Sequence, residues 1–119
     1  MNKDLFIFAD MILEKSKVMN LTAIKERDLI IKRHFLDSLE LLAAYDFDGK
    51  SVIDIGSGAG LPGLCLKIEN PTISLLSLDS TEKKITFQQE VIDALSLTDV
   101  KAVYGRAEEL SMDKSYRQQ

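Results

Sequence analysis

Apolar residues in the first part of the chain recur with a helical period, whereas those in the second part gather in short runs. Leu5, Phe8, Ala9, Ile12 and Leu13 follow i, i+3, i+4 spacing along one face, with Glu14, Lys15 and Lys17 outside it. Asn2 is placed to cap the start of this helix and Asn20 to stop it. A second helix is expected from near Asp28 to about Ala44, with Leu29, Ile30, Phe35, Leu36, Leu39 and Leu42 available for burial. Tyr45-Asp-Phe-Asp-Gly-Lys50 breaks that pattern.

From Ser51 the period changes. Ser51-Val-Ile-Asp-Ile55 reads as a strand ending at Gly56, and Leu64 to Glu69 as a helix stopped by Asn70-Pro71. Ile73-Ser-Leu-Leu-Ser-Leu78 is a second strand. Thr81 to Leu95 is an amphipathic helix with Ile85, Val91, Ile92 and Leu95 on its apolar side, and Val100-Lys-Ala-Val-Tyr104 is a third strand. Strand, helix, strand, helix, strand at this spacing predicts an α/β fold with a parallel sheet and right-handed crossovers, preceded by a helical lead-in.

Composition narrows the class. The 119 residues suit one domain, and 45% apolar with 29% charged residues is an ordinary globular profile. A net charge of −4 argues against indiscriminate binding to nucleic acid or anionic membrane through overall charge, and no apolar run approaches a membrane span. The single cysteine, Cys65, rules out an intramolecular disulfide framework and makes a reducing, cytoplasmic compartment the default. One histidine and one cysteine make no credible zinc site, so no metal is expected, and Cys65 reads as a small core residue.

The chemistry concentrates in Val52-Ile-Asp-Ile-Gly-Ser-Gly-Ala-Gly-Leu-Pro-Gly63. Glycines directly after a strand let a ligand approach the backbone, whose N–H groups can then donate to it. The second strand leads into Asp79, 23 positions after Gly56, close to the spacing at which an acid meets ribose hydroxyls in nucleotide-binding βαβ units. Two registers compete. Gly58-Ala-Gly-Leu-Pro-Gly63 matches the G-x-G-x-x-G dinucleotide fingerprint, but leaves Gly56 and Asp54 without a role. Asp54-Ile-Gly-Ser-Gly-Ala-Gly60 accounts for both and resembles motif I of the class I S-adenosylmethionine-dependent methyltransferases.

Five segments together resemble one family, the glucose-inhibited division protein B or RsmG-type 16S ribosomal RNA methyltransferases. They are Asn20-Leu-Thr-Ala-Ile24, Arg33-His-Phe-Leu-Asp-Ser-Leu39, Asp54 to Gly63, Leu78-Asp-Ser80 with Lys83, Lys84 and Phe87, and Arg106-Ala-Glu108. The resemblance implies methylation of guanine N7 in small-subunit rRNA, with S-adenosyl-L-methionine as cofactor. It also implies a Rossmann-like fold truncated after about three parallel strands, with residues 1–50 as helical region and 51–119 as partial cofactor-binding region. Carried over by position, Gly56, Gly58 and Leu61 are expected at the cofactor turn. Asp79 is the expected ribose acid with Ser80 beside it, and Ala107 and Glu108 are expected to flank the adenine. No catalytic side chain is assigned. The sulfonium is already an activated methyl donor and N7 carries a lone pair, so positioning suffices.

For the RNA, the window from Lys15 to Arg33 carries a local excess of four positive charges, and Lys25, Arg27, Lys32, Arg33 and His34 are the candidate contacts. Asp37 and Ser38 are expected to brace their helix against the glycine loop. The family's sheet has seven strands, so this chain is expected to be the N-terminal part of a longer enzyme, with weak cofactor affinity and negligible methyl transfer alone. The family's fourth strand pairs with the first, which predicts a free edge along Val52–Ile55 and association of copies through it. Two other classes stay open: a NAD-dependent oxidoreductase fragment, from the shifted register, and a non-catalytic RNA-binding module.

Overall fold

The computed structural model describes residues 2–19 and 26–105. The expectations placed on Asn20 to Ile24, Lys25 and Arg106-Ala-Glu108 lie outside the described residues.

Helix α1 (Lys3–Ser16) begins where Asn2 accepts the Asp4 N–H on its side-chain oxygen at 2.9 Å. The Asn2 amide also donates to the Ile68 carbonyl, which pins the helix start to the end of α4 (Gly63–Glu69). Leu5, Phe8, Ala9 and Ile12 are buried as the periodicity predicts. The helix ends at Ser16 rather than near Asn20, because nothing after Leu13 continues the apolar stripe and Val18 is 80% exposed.

The second predicted helix forms in three parts: α2 (Arg27–Ile30), a π-helical turn (Ile31–Phe35) and α3 (Leu36–Ala44). A π turn places residues five apart on one face, and Ile30 and Phe35 are both fully buried. The Phe35 ring stacks on Phe8 of α1 with centroids 5.3 Å apart. The same inserted residue rotates the helix beyond it. Leu36, expected inside, is 41% exposed, and Ser38 takes the buried position.

Strands β1 (Ser51–Ile55), β2 (Ser74–Asp79) and β3 (Val100–Tyr104) pair in parallel in the order β1-β2-β3, joined by α4 and α5 (Glu82–Ala94). Stepping one way across the sheet with right-handed crossovers keeps both helices on one face. Val52, Leu75, Val100 and Ala102 share that core with Leu64, Phe87 and Val91. Strand alternation then places Asp54, Ser77 and Asp79 on the same helix-facing side. All three approach the carboxyl end of the sheet. One strand edge of β1 has no partner strand among the described residues.

Lys67, on α4, is buried with its ammonium donating to the Pro71 carbonyl at 2.7 Å and to the Ile73 carbonyl. It ties the end of α4 to the turn that starts β2.

Candidate functional site

The turn after β1 hangs on the end of β2. The N–H groups of Gly56 and Ser57 both donate to the Leu78 carbonyl, at 2.9 and 3.1 Å. Gly58 comes next with φ +57°, a left-handed conformation costly for any residue with a Cβ, and its N–H donates to Asp79 Oδ2 at 2.8 Å. The N–H groups of Gly60 and Leu61 then return to the Ser57 carbonyl, closing the turn ahead of α4.

Asp79 is buried and uses both oxygens on backbone. Oδ2 accepts from Gly58 and Oδ1 accepts from Thr81 at 2.8 Å, so one carboxylate fixes the glycine turn and the start of α5 together. Two oxygens offer about four lone-pair sites, and these bonds use two of them. A Cβ placed on Gly56 or Gly58 would meet nothing within 4 Å. Space beside the turn, with a carboxylate retaining acceptor capacity at its edge, fits the sugar and neighbouring atoms of a nucleoside-type cofactor.

Asp54 has a different task. Its Oδ2 accepts the Gly63 N–H at 2.9 Å, at the first residue of α4, and a Cβ on Gly63 would lie 2.7 Å from that oxygen. Burial raises the Asp54 pKa above its ordinary value, the Gly63 N–H opposes that, and the neighbouring Asp79 adds to it. The Leu64 and Leu66 N–H groups bond to the Gly60 and Pro62 carbonyls. A carboxylate therefore sits where the dinucleotide register needs a pyrophosphate, and the like charges repel.

Beneath the turn lies a group that sequence reasoning misses. Gln88 of α5 is fully buried, and its Nε2 donates to Ser57 Oγ at 2.7 Å and to the Gly58 carbonyl at 2.8 Å. Its Oε1 accepts from Ser77 Oγ at 2.6 Å, while Ser57 Oγ donates to the Leu78 carbonyl at 3.1 Å. Gln88 stands three residues after Ile85 and three before Val91, so the available signal is a polar residue on an apolar stripe.

The structure brings Gly56, Gly58, Leu61 and Asp79 together around the turn. Ser80 is exposed just beyond Asp79, and Ala107 and Glu108 fall outside the described residues. The basic window is more neutralised than a count along the chain suggests. Lys15 pairs with Glu90 at 3.2 Å, Lys17 with Glu14 at 2.9 Å, and Arg27 with Asp10 at 3.3 Å while lying over the Phe6 ring. Lys32 and Arg33 are exposed side by side on the π turn. His34 is half-buried, and its carbonyl accepts from Ser38 Oγ at 3.2 Å. The buried Ser38 hydroxyl donates to the His34 carbonyl one turn back rather than to the glycine loop, and Asp37 is exposed.

The chain matches the model of the GidB family, described as rRNA small subunit methyltransferase G, over residues 1–118. Among curated relatives, a ribosomal RNA small subunit methyltransferase G from Oenococcus oeni is 49% identical over 93% of this chain and 47% of its own length. The protein of that name from Lachnoclostridium phytofermentans is 43% identical over 94% of this chain and 47% of its own. This chain thus spans about half the length of the curated relatives it matches. Among solved structures, a SAM-dependent methyltransferase from Aquifex aeolicus superposes with a TM-score of 0.54 at 19% identity, over 79% of this chain and 47% of that one. The YcgJ protein of Bacillus subtilis superposes with a TM-score of 0.50 at 22% identity, over 61% of this chain and 31% of that one. Both likenesses concern the fold.

Proposed function

This chain belongs to the GidB family, rRNA small subunit methyltransferase G, and we propose that it forms the cofactor-binding part of an enzyme that methylates N7 of a guanosine in 16S ribosomal RNA. The observation that carries this reading is the turn itself: open backbone at Gly56 and Gly58, a buried acid at its rim, and Asp54 occupying the α4 N-terminus. S-adenosyl-L-methionine, when bound, would supply a methyl group activated by its sulfonium, whose C–S bond can break to release a neutral thioether.

Each residue then has a task. Asp79 accepts from the ribose hydroxyls with the lone pairs its backbone bonds leave free. Gly56 and Gly58 admit the ligand to the backbone, Leu61 contributes apolar contact, and Ser80 lies beside the ribose acid. Ala107 and Glu108 flank the adenine in the family pattern. Transfer needs alignment more than acid–base chemistry, so a rigid turn is the main contribution of these residues.

Lys32 and Arg33, together with the candidates Lys25, Arg27 and His34, supply the phosphate contacts to the small ribosomal subunit. A cytoplasmic setting goes with a ribosomal substrate; among the described residues no helix is long and apolar enough to cross a membrane. The edge of β1 that has no partner strand among the described residues pairs with a second copy of the chain. Sedimentation as a monomer at high concentration, with β1 amides protected from exchange, refutes that pairing.

Titration calorimetry separates the classes. Binding of S-adenosylmethionine and not of NAD is expected. The converse result returns the oxidoreductase reading, and 16S rRNA binding with no affinity for either cofactor leaves an RNA-binding module.

A further inference from the structure

We infer that Gln88 is the positioning residue of the glycine turn, holding the Gly58 peptide in the one orientation that presents Asp79 to a ligand. The inference rests on the proposed cofactor role for its purpose, though not for its geometry. Gly58 is gripped from both sides: its N–H donates to Asp79 Oδ2 at 2.8 Å and its carbonyl accepts from Gln88 Nε2 at 2.8 Å. The N–H belongs to the Ser57–Gly58 peptide and the carbonyl to the Gly58–Ala59 peptide, so the two bonds hold the planes on either side of the Gly58 Cα.

The chemistry at this point demands an amide. The Gly58 carbonyl only accepts, so the group facing it must donate. Ser57 Oγ already donates to the Leu78 carbonyl, so it too must accept from Gln88. The third contact is an acceptor, Oε1, receiving the Ser77 hydroxyl. A terminal group with two donors and one acceptor in a plane is what Gln provides. Leucine would fill the volume, leave the Gly58 carbonyl and the Ser77 hydroxyl in need of new partners, and remove the bond that Ser57 Oγ accepts while its bond to the Leu78 carbonyl remains. Glutamate, when ionised, would point oxygen at oxygen. The residues joined this way come from three elements, Ser57 and Gly58 in the turn, Ser77 on β2 and Gln88 on α5, and Ser57, Ser77 and Gln88 are each buried.

The test uses this chain with Gln88→Leu, Gln88→Glu and a remote core control, Ile12→Val. Two readouts are taken under native conditions: hydrogen exchange at the Gly58 amide by NMR, and S-adenosylmethionine affinity by calorimetry. In Gln88→Leu, Gly58 exchange is expected to quicken by about tenfold or more, the scale of one lost hydrogen bond, and the dissociation constant to rise by a similar factor. Ile12→Val lowers stability without moving either readout. Gln88→Glu covers the case in which the leucine variant does not fold. A buried glutamate has a raised pKa, so the proton it needs for donation to Gly58 is present at low pH and lost as pH rises. Its affinity relative to wild type therefore falls between about pH 5 and pH 8. Unchanged Gly58 exchange in the Gln88 variants, or equal changes in the Ile12 control, overturns the inference. If the unaltered chain binds no S-adenosylmethionine while Gly58 still responds to Gln88, the cofactor reading falls and the positioning role stands.

Discussion

Replacing Asp79 with asparagine keeps the shape of the side chain and removes one acceptor. That single change should destabilise the protein before any ligand is considered. Both carboxylate oxygens accept backbone N–H groups, from Gly58 and from Thr81, each at 2.8 Å. An amide has one oxygen and one NH2, so in either orientation one backbone N–H faces another donor. The lost bond is charge-assisted and the residue is 7% exposed, which puts the cost at about 2–3 kcal/mol. Relief of repulsion with Asp54 offsets a small part of this, since Asp79 contributes to the raised Asp54 pKa. For a chain of this length the loss corresponds to a fall in melting temperature of roughly 10 °C. Urea unfolding of Asp79→Asn against wild type measures it, with the m-value checked for constancy. A variant within about 0.5 kcal/mol of wild type would refute the account of Asp79 as the brace of the turn. Because the brace of the turn is lost with the acceptor, weaker cofactor binding by this variant reports the turn as much as a ribose contact. The clean probe changes the ligand instead: S-adenosylmethionine analogues lacking one ribose hydroxyl, titrated into the intact chain, leave the brace in place and should bind several-fold more weakly.

Asp54→Asn should behave oppositely. The asparagine oxygen can still accept the Gly63 N–H, while the ionised carboxylate held there carries a raised pKa from burial. A raised folded pKa means the carboxyl's contribution to stability is greatest below about pH 3.8 and declines as pH rises through the folded value. Asp54→Asn is therefore expected to equal or exceed wild type in urea midpoint at pH 7, with the advantage vanishing in acid; a loss at pH 7 contradicts this. Gly58→Ala meets no atom within 4 Å, so its cost is backbone strain alone, about 1–2 kcal/mol by thermal melt, and a neutral result would place Gly58 outside the left-handed region. Gly63→Ala is a clash rather than a strain, because the new methyl lies 2.7 Å from Asp54 Oδ2. It should cost about 1–3 kcal/mol and be partly rescued in the double variant with Asp54→Ala. Burial pushes the Cys65 thiol pKa up to about 12, with Ser38 opposing and Glu69 adding to the rise. A disulfide reagent at pH 8 should label Cys65 only as the protein unfolds, and rapid native labelling would refute its burial.

The sequence is most legible where one residue type leaves one option. Glycines at the end of a strand, an acid at the end of the next strand and alternating apolar runs announce the βαβ order and the turn, and the elements form with them. It is least legible where the decisive partner is distant in the chain. Lys15 counts toward a basic stretch only until Glu90, 75 positions away, is folded against it. The π turn leaves no residue-type signature, because one inserted residue changes no composition; it shows only as Ile30 and Phe35 sharing a face and Leu36 losing it. Gln88 and Asp54 hide their tasks for a shared reason. A polar residue in an apolar stripe, or an acid inside a strand, does not reveal its partner until the group that needs it is in view. Asp54 needs the Gly63 N–H and Gln88 needs the Gly58 carbonyl. Both needs arise from a turn with little side chain of its own, whose backbone groups must be held by neighbours. The glycines that leave open space beside the turn are the same residues that leave its backbone unsupported, so the support must come from side chains on the neighbouring strands and helix.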